Sequence, residues 1–138
     1  MARRADSDEH YVLDLCDEVL GVPGIRQATF DWLRGDPSTA RLRGTMLPVD
    51  GYWPDLALVV EFQEEQHSQP SPFFDRRQTI SGMGRSEQRR LYDQRKRVLI
   101  PEHGLKLVVI EKSAFVLKSR KIDRDRARDL QVVRRHLA

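Results

Sequence analysis

The stretch LPVDGYWPDLALVVEFQEEQH, Leu47 to His67, decides how the chain is read. Trp53-Pro54-Asp55 is a turn signal between two runs of strand-forming residues. Residues 45–52 and 55–63 are expected to pair as a hairpin around it. The second arm, Leu56-Ala57-Leu58-Val59-Val60, is continuously apolar, as suits a strand buried on both faces. It then runs into Glu61, Phe62 and Gln63. A turn centred between Asp55 and Leu56 sets Asp50 opposite Glu61, and alternation puts Glu61 and Gln63 on one face. Asp50, Glu61 and Gln63 can therefore converge. Asp55 is a rival for Asp50, but it sits in the turn itself.

Two carboxylates near a core repel each other and lose hydration. A proton, an Arg or Lys, or a divalent cation must compensate. Mg²⁺ takes oxygen ligands, often one or two carboxylates with water and substrate phosphate. Asp50 and Glu61 are thus candidate metal ligands. In the alternative, both end their strands in solvent beside arginines.

The rest of the chain supplies an α/β frame. Residues 8–20 read as a helix capped by Ser7 or Asp8, with Val12, Leu15, Cys16, Val19 and Leu20 at helical spacing and Gly21 and Pro23 closing it. Residues 25–35 are ambiguous. Residues 66–84, rich in Pro, Ser, Gly and Gln, read as a long ordered loop. Residues 85–100 are expected to be helical, with Leu91, Val98 and Leu99 as a thin apolar stripe and Pro101 and Gly104 ending the helix. LKLVVI (105–110) is a strand, and 123–137 a charged helix with Leu130, Val133 and Leu137 on its apolar face. A mixed sheet in one domain spanning residues 1–138 is the expectation.

Composition narrows the functional classes. Residues 1–75 hold 6 Lys/Arg and 14 Asp/Glu, a net of −8; residues 76–138 hold 18 and 7, a net of +11. A concentrated positive half attracts polyanions, nucleic acid first. No run of about 18 apolar residues offers a membrane span. The single Cys16 excludes an internal disulfide framework. With a polar N-terminus, the expected compartment is the cytoplasm.

VDGYWPDLALVVEFQEEQH followed by YDQRKRVLIPEHGLKLVVIE resembles the restriction-endonuclease-like PD-(D/E)xK superfamily. The similarity is to the branch of the very-short-patch repair (Vsr) mismatch endonuclease and the homing endonucleases with an EDxHD signature. It spans residues 47–112, and 12–20 loosely. The resemblance implies an αβββαβ core with a mixed central sheet flanked by helices, and a further short strand within residues 27–46. It implies a Mg²⁺-dependent (or Mn²⁺-dependent) DNA endonuclease that hydrolyses phosphodiester bonds.

The implied catalytic set is Asp50, Glu61, Gln63, His67, Asp93 and Glu18. Asp50 is the principal metal ligand, and Glu61 the second ligand or the partner of a bound water. Gln63 positions the water. His67 is a general acid/base or steadies phosphate charge, and Asp93 orients it. Glu18 matches the leading Glu of the signature, with Asp17 and Asp14 as competitors. Gln63 stands where the superfamily usually has Lys, and Gln carries neither charge nor a transferable proton. Arg85, Arg89, Arg90, Lys96 and Arg97 are candidate phosphate contacts. Gly82-Met83-Gly84, with Phe73 and Phe74, could enter a groove. The alternative on the same frame is a DNA-binding or protein-interaction module that does not cut. A homodimer or a larger DNA-processing assembly is the remaining partner expectation.

Overall fold

The computed structural model of the chain describes residues 7–64 and 85–138. Their order is α1 (Asp8–Leu20), β1 (Ile25–Ala28), β2 (Val49–Trp53), β3 (Leu58–Gln63), α2 (Arg85–Glu102), β4 (Lys106–Glu111), β5 (Leu117–Lys118), β6 (Lys121–Ile122) and α3 (Arg126–Leu137). The protein is α/β with a mixed four-stranded sheet, order β1-β2-β3-β4, and a separate β5–β6 hairpin. β1–β2 and β2–β3 pair antiparallel and β3–β4 parallel. The extra strand, β1, falls at the N-terminal margin of the interval expected for it. The packing divides into two compact units: residues 7–28, 49–64 and 106–138 form one, 29–48 and 85–105 the other.

In the first unit the hairpin forms as its turn chemistry dictates. Pro54–Leu56 make one 3-10 turn, and Ala57 reverses the chain at φ 48°. Gly51 pairs with Val60, Tyr52 with Val59 and Trp53 with Leu58. Leu58, Val59 and Val60 are all buried, so β3 is covered on both faces. Trp53, Leu58, Val60 and Phe62 share a cluster with Val12, Leu13, Leu15 and Cys16 of α1 and Val132 and Val133 of α3. That cluster defines the helix-covered face of the sheet. Trp53 is its largest fully buried side chain, and its indole N–H donates to Val22 O at 3.0 Å. A Cβ at Gly24 or Gly51 would lie 2.4 or 2.8 Å from the indole ring, so both positions require glycine for the ring to seat.

The helix ends follow capping rules. Ser7 Oγ accepts from His10 N–H at 3.0 Å, Asp8 and Glu9 occupy the first turn of α1, and Gly21 closes it at φ 76°. Burial pushes the Cys16 thiol up to about 12. The helix expected from residue 123 begins at Arg126, and Asp125 caps it by accepting from Arg128 N–H at 3.1 Å. The first turn of α3 then buries Asp129 completely. A buried carboxylate needs donors: Tyr11 Oη–H donates at 2.6 Å and Asp125 N–H at 3.0 Å, both to Oδ2. Burial, then the hydrogen bond to Asp129, raises the Tyr11 phenol well above its usual range.

In the second unit, Leu33 and Ile100 are fully buried. Arg34 bridges Met46, and Gly44 turns at φ 81° where a Cβ would lie 2.1 Å from Gly35 O. Arg95 ties α2 to this loop through Arg34 O (2.8 Å) and the Asp36 carboxylate (2.9 Å), and Tyr92 Oη accepts from Asp36 N–H. Phe30, Trp32 and His103 stack in sequence. Two expectations for α2 need correcting. Pro101 lies inside the last turn, and the helix ends only after Glu102, with Gly104 at φ 78°. The stripe residues Leu91 and Val98 are exposed, while Ile100 carries the burial.

Trp53→Ala is expected to lower the unfolding free energy by about 3–5 kcal/mol, and Tyr11→Phe by about 1–3 kcal/mol through loss of a donor to buried Asp129. Because folding raises the Tyr11 pKa from 10.0, its contribution is fully present below pH 10 and is lost as pH rises beyond it. Urea titrations across that range check this, with Tyr11→Phe showing the smaller alkaline loss.

Candidate functional site

β2 and β3 create the site through their register. Gly51 opposite Val60 makes Asp50 and Glu61 the next pair. Both lie on the sheet face away from α1 and α3, because Gly51, Trp53, Leu58 and Val60 occupy the helix-covered one. Side chains close the ladder at this point. Glu61 Oε2 accepts from Asp50 N–H at 2.9 Å, and Asp50 Oδ2 accepts from Phe62 N–H at 2.8 Å. Each carboxylate thus binds the opposite strand's backbone at the mouth of the β2–β3 pair.

Gln63 follows Glu61 on the same face, half-buried, and aligns with Glu111 across the parallel β3–β4 pair. Glu111 is therefore a third acidic position at this end of the sheet. It is legible only once β4 is known to run parallel to β3 in this register. Among the described residues, no group of three or more His, Cys, Asp or Glu is arranged to hold a metal ion. Asp55 is exposed in the 3-10 turn.

Glu18 lies in the helix layer, on the other side of the sheet from Asp50 and Glu61, where it ion-pairs with Arg126 of α3. Asp17 and Asp14 both hold Arg26, at 2.7 and 3.1 Å. Burial opposes the Arg26 charge, but the bonds and charges of Asp17 and Asp14 outweigh it and raise its pKa. All three acidic candidates of α1 thus serve packing contacts within the first unit.

The α2 residues belong to the second unit. Arg85 begins the helix. Asp93, Arg89 and Lys96 line one cleft of about 430 Å³ with Leu47, Pro48, Gln88 and Tyr92. Lys96 Nζ donates to Pro48 O at 2.9 Å. Arg90 is half-buried and Arg97 exposed, and neither lines this cleft. His67, the Phe73–Phe74 pair and Gly82-Met83-Gly84 lie outside the described residues.

Comparison with family models, with curated proteins and with solved structures gives no match. What the fold and site define is a class: an α/β protein whose sheet presents a pair of facing carboxylates on the side away from α1 and α3. No helix among the described residues is long and apolar enough to cross a membrane.

The cross-strand bonds are expected to be worth about 1–3 kcal/mol each when one partner is truncated. Asp50→Ala and Glu61→Ala should each destabilise by that amount, with a coupling of about 0.5–3 kcal/mol in a double-mutant cycle. Asp50→Asn and Glu61→Gln, which keep an acceptor oxygen, should retain most of the stability. Urea unfolding of these four variants and of the Asp50→Ala/Glu61→Ala double variant is the check.

Proposed function

We propose that the chain is a metal-dependent DNA endonuclease hydrolysing phosphodiester bonds. The observation that carries this reading is the placement of Asp50 and Glu61 on one face of the sheet, one step beyond the Gly51–Val60 pair, each bonded to the opposite strand's backbone. The donor set suits magnesium. Each side chain places a carboxylate oxygen on the backbone of the opposite strand, which holds the two carboxyl groups next to each other. Mg²⁺ commonly keeps several waters and takes one or two carboxylates with substrate phosphate oxygens. Two facing carboxylates meet that requirement. They do not meet the four-ligand nitrogen and sulfur demand of a structural zinc.

Asp50 and Glu61 would hold Mg²⁺ or Mn²⁺, which when bound polarises a phosphoryl oxygen and acidifies a water. The protein's own part is to fix the two carboxylates by backbone hydrogen bonds and so present them without reorganisation. The amide of Gln63, on the same face, would orient a water by accepting or donating one hydrogen bond. The basic second half, including Arg89 and Lys96 of the α2 cleft, would attract DNA through its phosphates. The helix, three strands, helix and strand in that order support the restriction-endonuclease-like αβββαβ core. The cytoplasm is the compartment this reading entails.

Gln63 favours a second reading, a DNA-binding or protein-interaction module that does not cut. A primary amide cannot serve as general base or carry positive charge at that position.

Under the first reading, Asp50→Asn lowers Mg²⁺- or Mn²⁺-supported cutting by roughly 100-fold or more and leaves DNA affinity in EDTA unchanged. Cleavage assays on duplex, mismatched, branched and modified DNA test this. Retained binding with no cutting of any of these by the unaltered chain selects the second reading.

A further inference from the structure

The β5–β6 hairpin combines features that each weaken it as an isolated structure. Its register places Lys118 directly opposite Lys121, and like charges at facing positions repel. Its two-residue turn is Ser119-Arg120, with φ of 52° and 66°. Two positive φ values define the turn that normally takes Asn-Gly or Gly-Gly, so both side chains are held in a conformation they disfavour. Leu117 and the preceding Val116 are exposed at 43% and 46%.

The base of the hairpin is anchored. Phe115 and Ile122 enter the core cluster. Ile122 N–H donates to buried Asp8, which also pairs with Lys112 at 3.2 Å, and Asp123 N–H donates to Val116 O. The anchored base holds the strained, charged tip in place. Elsewhere in this unit Arg26, Lys112, Arg126 and Arg128 have carboxylate partners, while exposed Lys106, Arg134 and Arg135 have no ion pair among the described residues. Lys118, Arg120 and Lys121 have no ion pair among the described residues, and all three are exposed.

We propose that this hairpin is a DNA-backbone grip, with Lys118, Arg120 and Lys121 contacting successive phosphates of a duplex. It rests on the DNA reading for its ligand but not on cleavage. Phosphate oxygens placed against the tip relieve the Lys118–Lys121 repulsion, which no carboxylate among the described residues does by an ion pair. A two-stranded ribbon is also of a size that the major groove admits. Such contacts give affinity without sequence choice.

The test is fluorescence anisotropy of a labelled duplex with the full chain in EDTA, over a series of KCl concentrations. Replacing Lys118, Arg120 and Lys121 together by Gln should weaken binding roughly 10- to 100-fold and reduce the slope of log K against log salt by about 2–3. Arg120→Gly should reduce that slope by about 1 while raising the melting temperature, since glycine accepts the positive φ without strain. A purely structural hairpin would not show that opposition. Asp50→Asn should keep the affinity and salt slope of the unaltered chain while losing roughly 100-fold or more of its cutting.

An unchanged affinity and salt slope in the triple variant overturns the grip and leaves the DNA reading standing. Failure of the unaltered chain to bind duplex DNA overturns both. Loss of binding to phosphatidylserine vesicles, with DNA binding intact, overturns the grip in favour of an anionic lipid surface. Absence of cutting with hairpin-dependent binding overturns the nuclease reading alone.

Discussion

The hairpin between β2 and β3 is the constraint from which the first unit follows. Its 3-10 turn at Pro54–Leu56 sets which residues face one another, and a slip of one position would send every side chain of a strand to the opposite face. In the register that forms, Trp53 and Val60 meet α1 and α3, while Asp50 and Glu61 emerge on the far side. Trp53 pins the arrangement. Its ring fills the space that Gly24 and Gly51 leave open, and its indole N–H is satisfied by Val22 O. The same register that builds the core therefore builds the acidic pair.

The acidic pair is held by the strands themselves. Asp50 and Glu61 exchange bonds with each other's backbone neighbourhoods, so the end of the β2–β3 ladder is closed by side chains rather than by strand pairing. This gives the carboxylates a structural task in addition to the metal-binding one proposed for them. The two tasks are separable because amide replacements preserve the acceptor oxygens while removing the charge.

Charge is handled differently in different parts of the first unit. On α1, Asp14, Asp17 and Glu18 are matched with Arg26 and Arg126, and Asp8 and Asp129 are buried with donors supplied. At the β5–β6 tip, Lys118, Arg120 and Lys121 have no ion pair among the described residues.

Much of this was legible in the residues alone. Ser7 and Gly21 delimit α1 by local capping chemistry, the Trp53-Pro54-Asp55 turn announces the hairpin, and the Leu56–Val60 run marks a strand buried on both faces, although Leu56 and Ala57 belong to the turn and only Leu58–Val60 are buried. The opposition of Asp50 and Glu61 follows from turn position and strand alternation. These are short-range properties, set by backbone sterics and side-chain periodicity within a few residues. The tertiary structure decided the rest. Glu18 reads as a free acidic position until α3 brings Arg126 to it, Asp129 reads as a surface charge until Tyr11 reaches it from the far end of the chain, and Glu111 joins the site only through a parallel pairing across a long crossover. Pro101 has no N–H to give to Arg97 O, and α2 stops one residue later at Glu102, so the break is confined to the final turn. The β5–β6 hairpin escaped detection because its turn uses Ser and Arg where turn chemistry favours Asn and Gly. Partners distant in the chain meet only through packing, and no local pattern encodes that encounter.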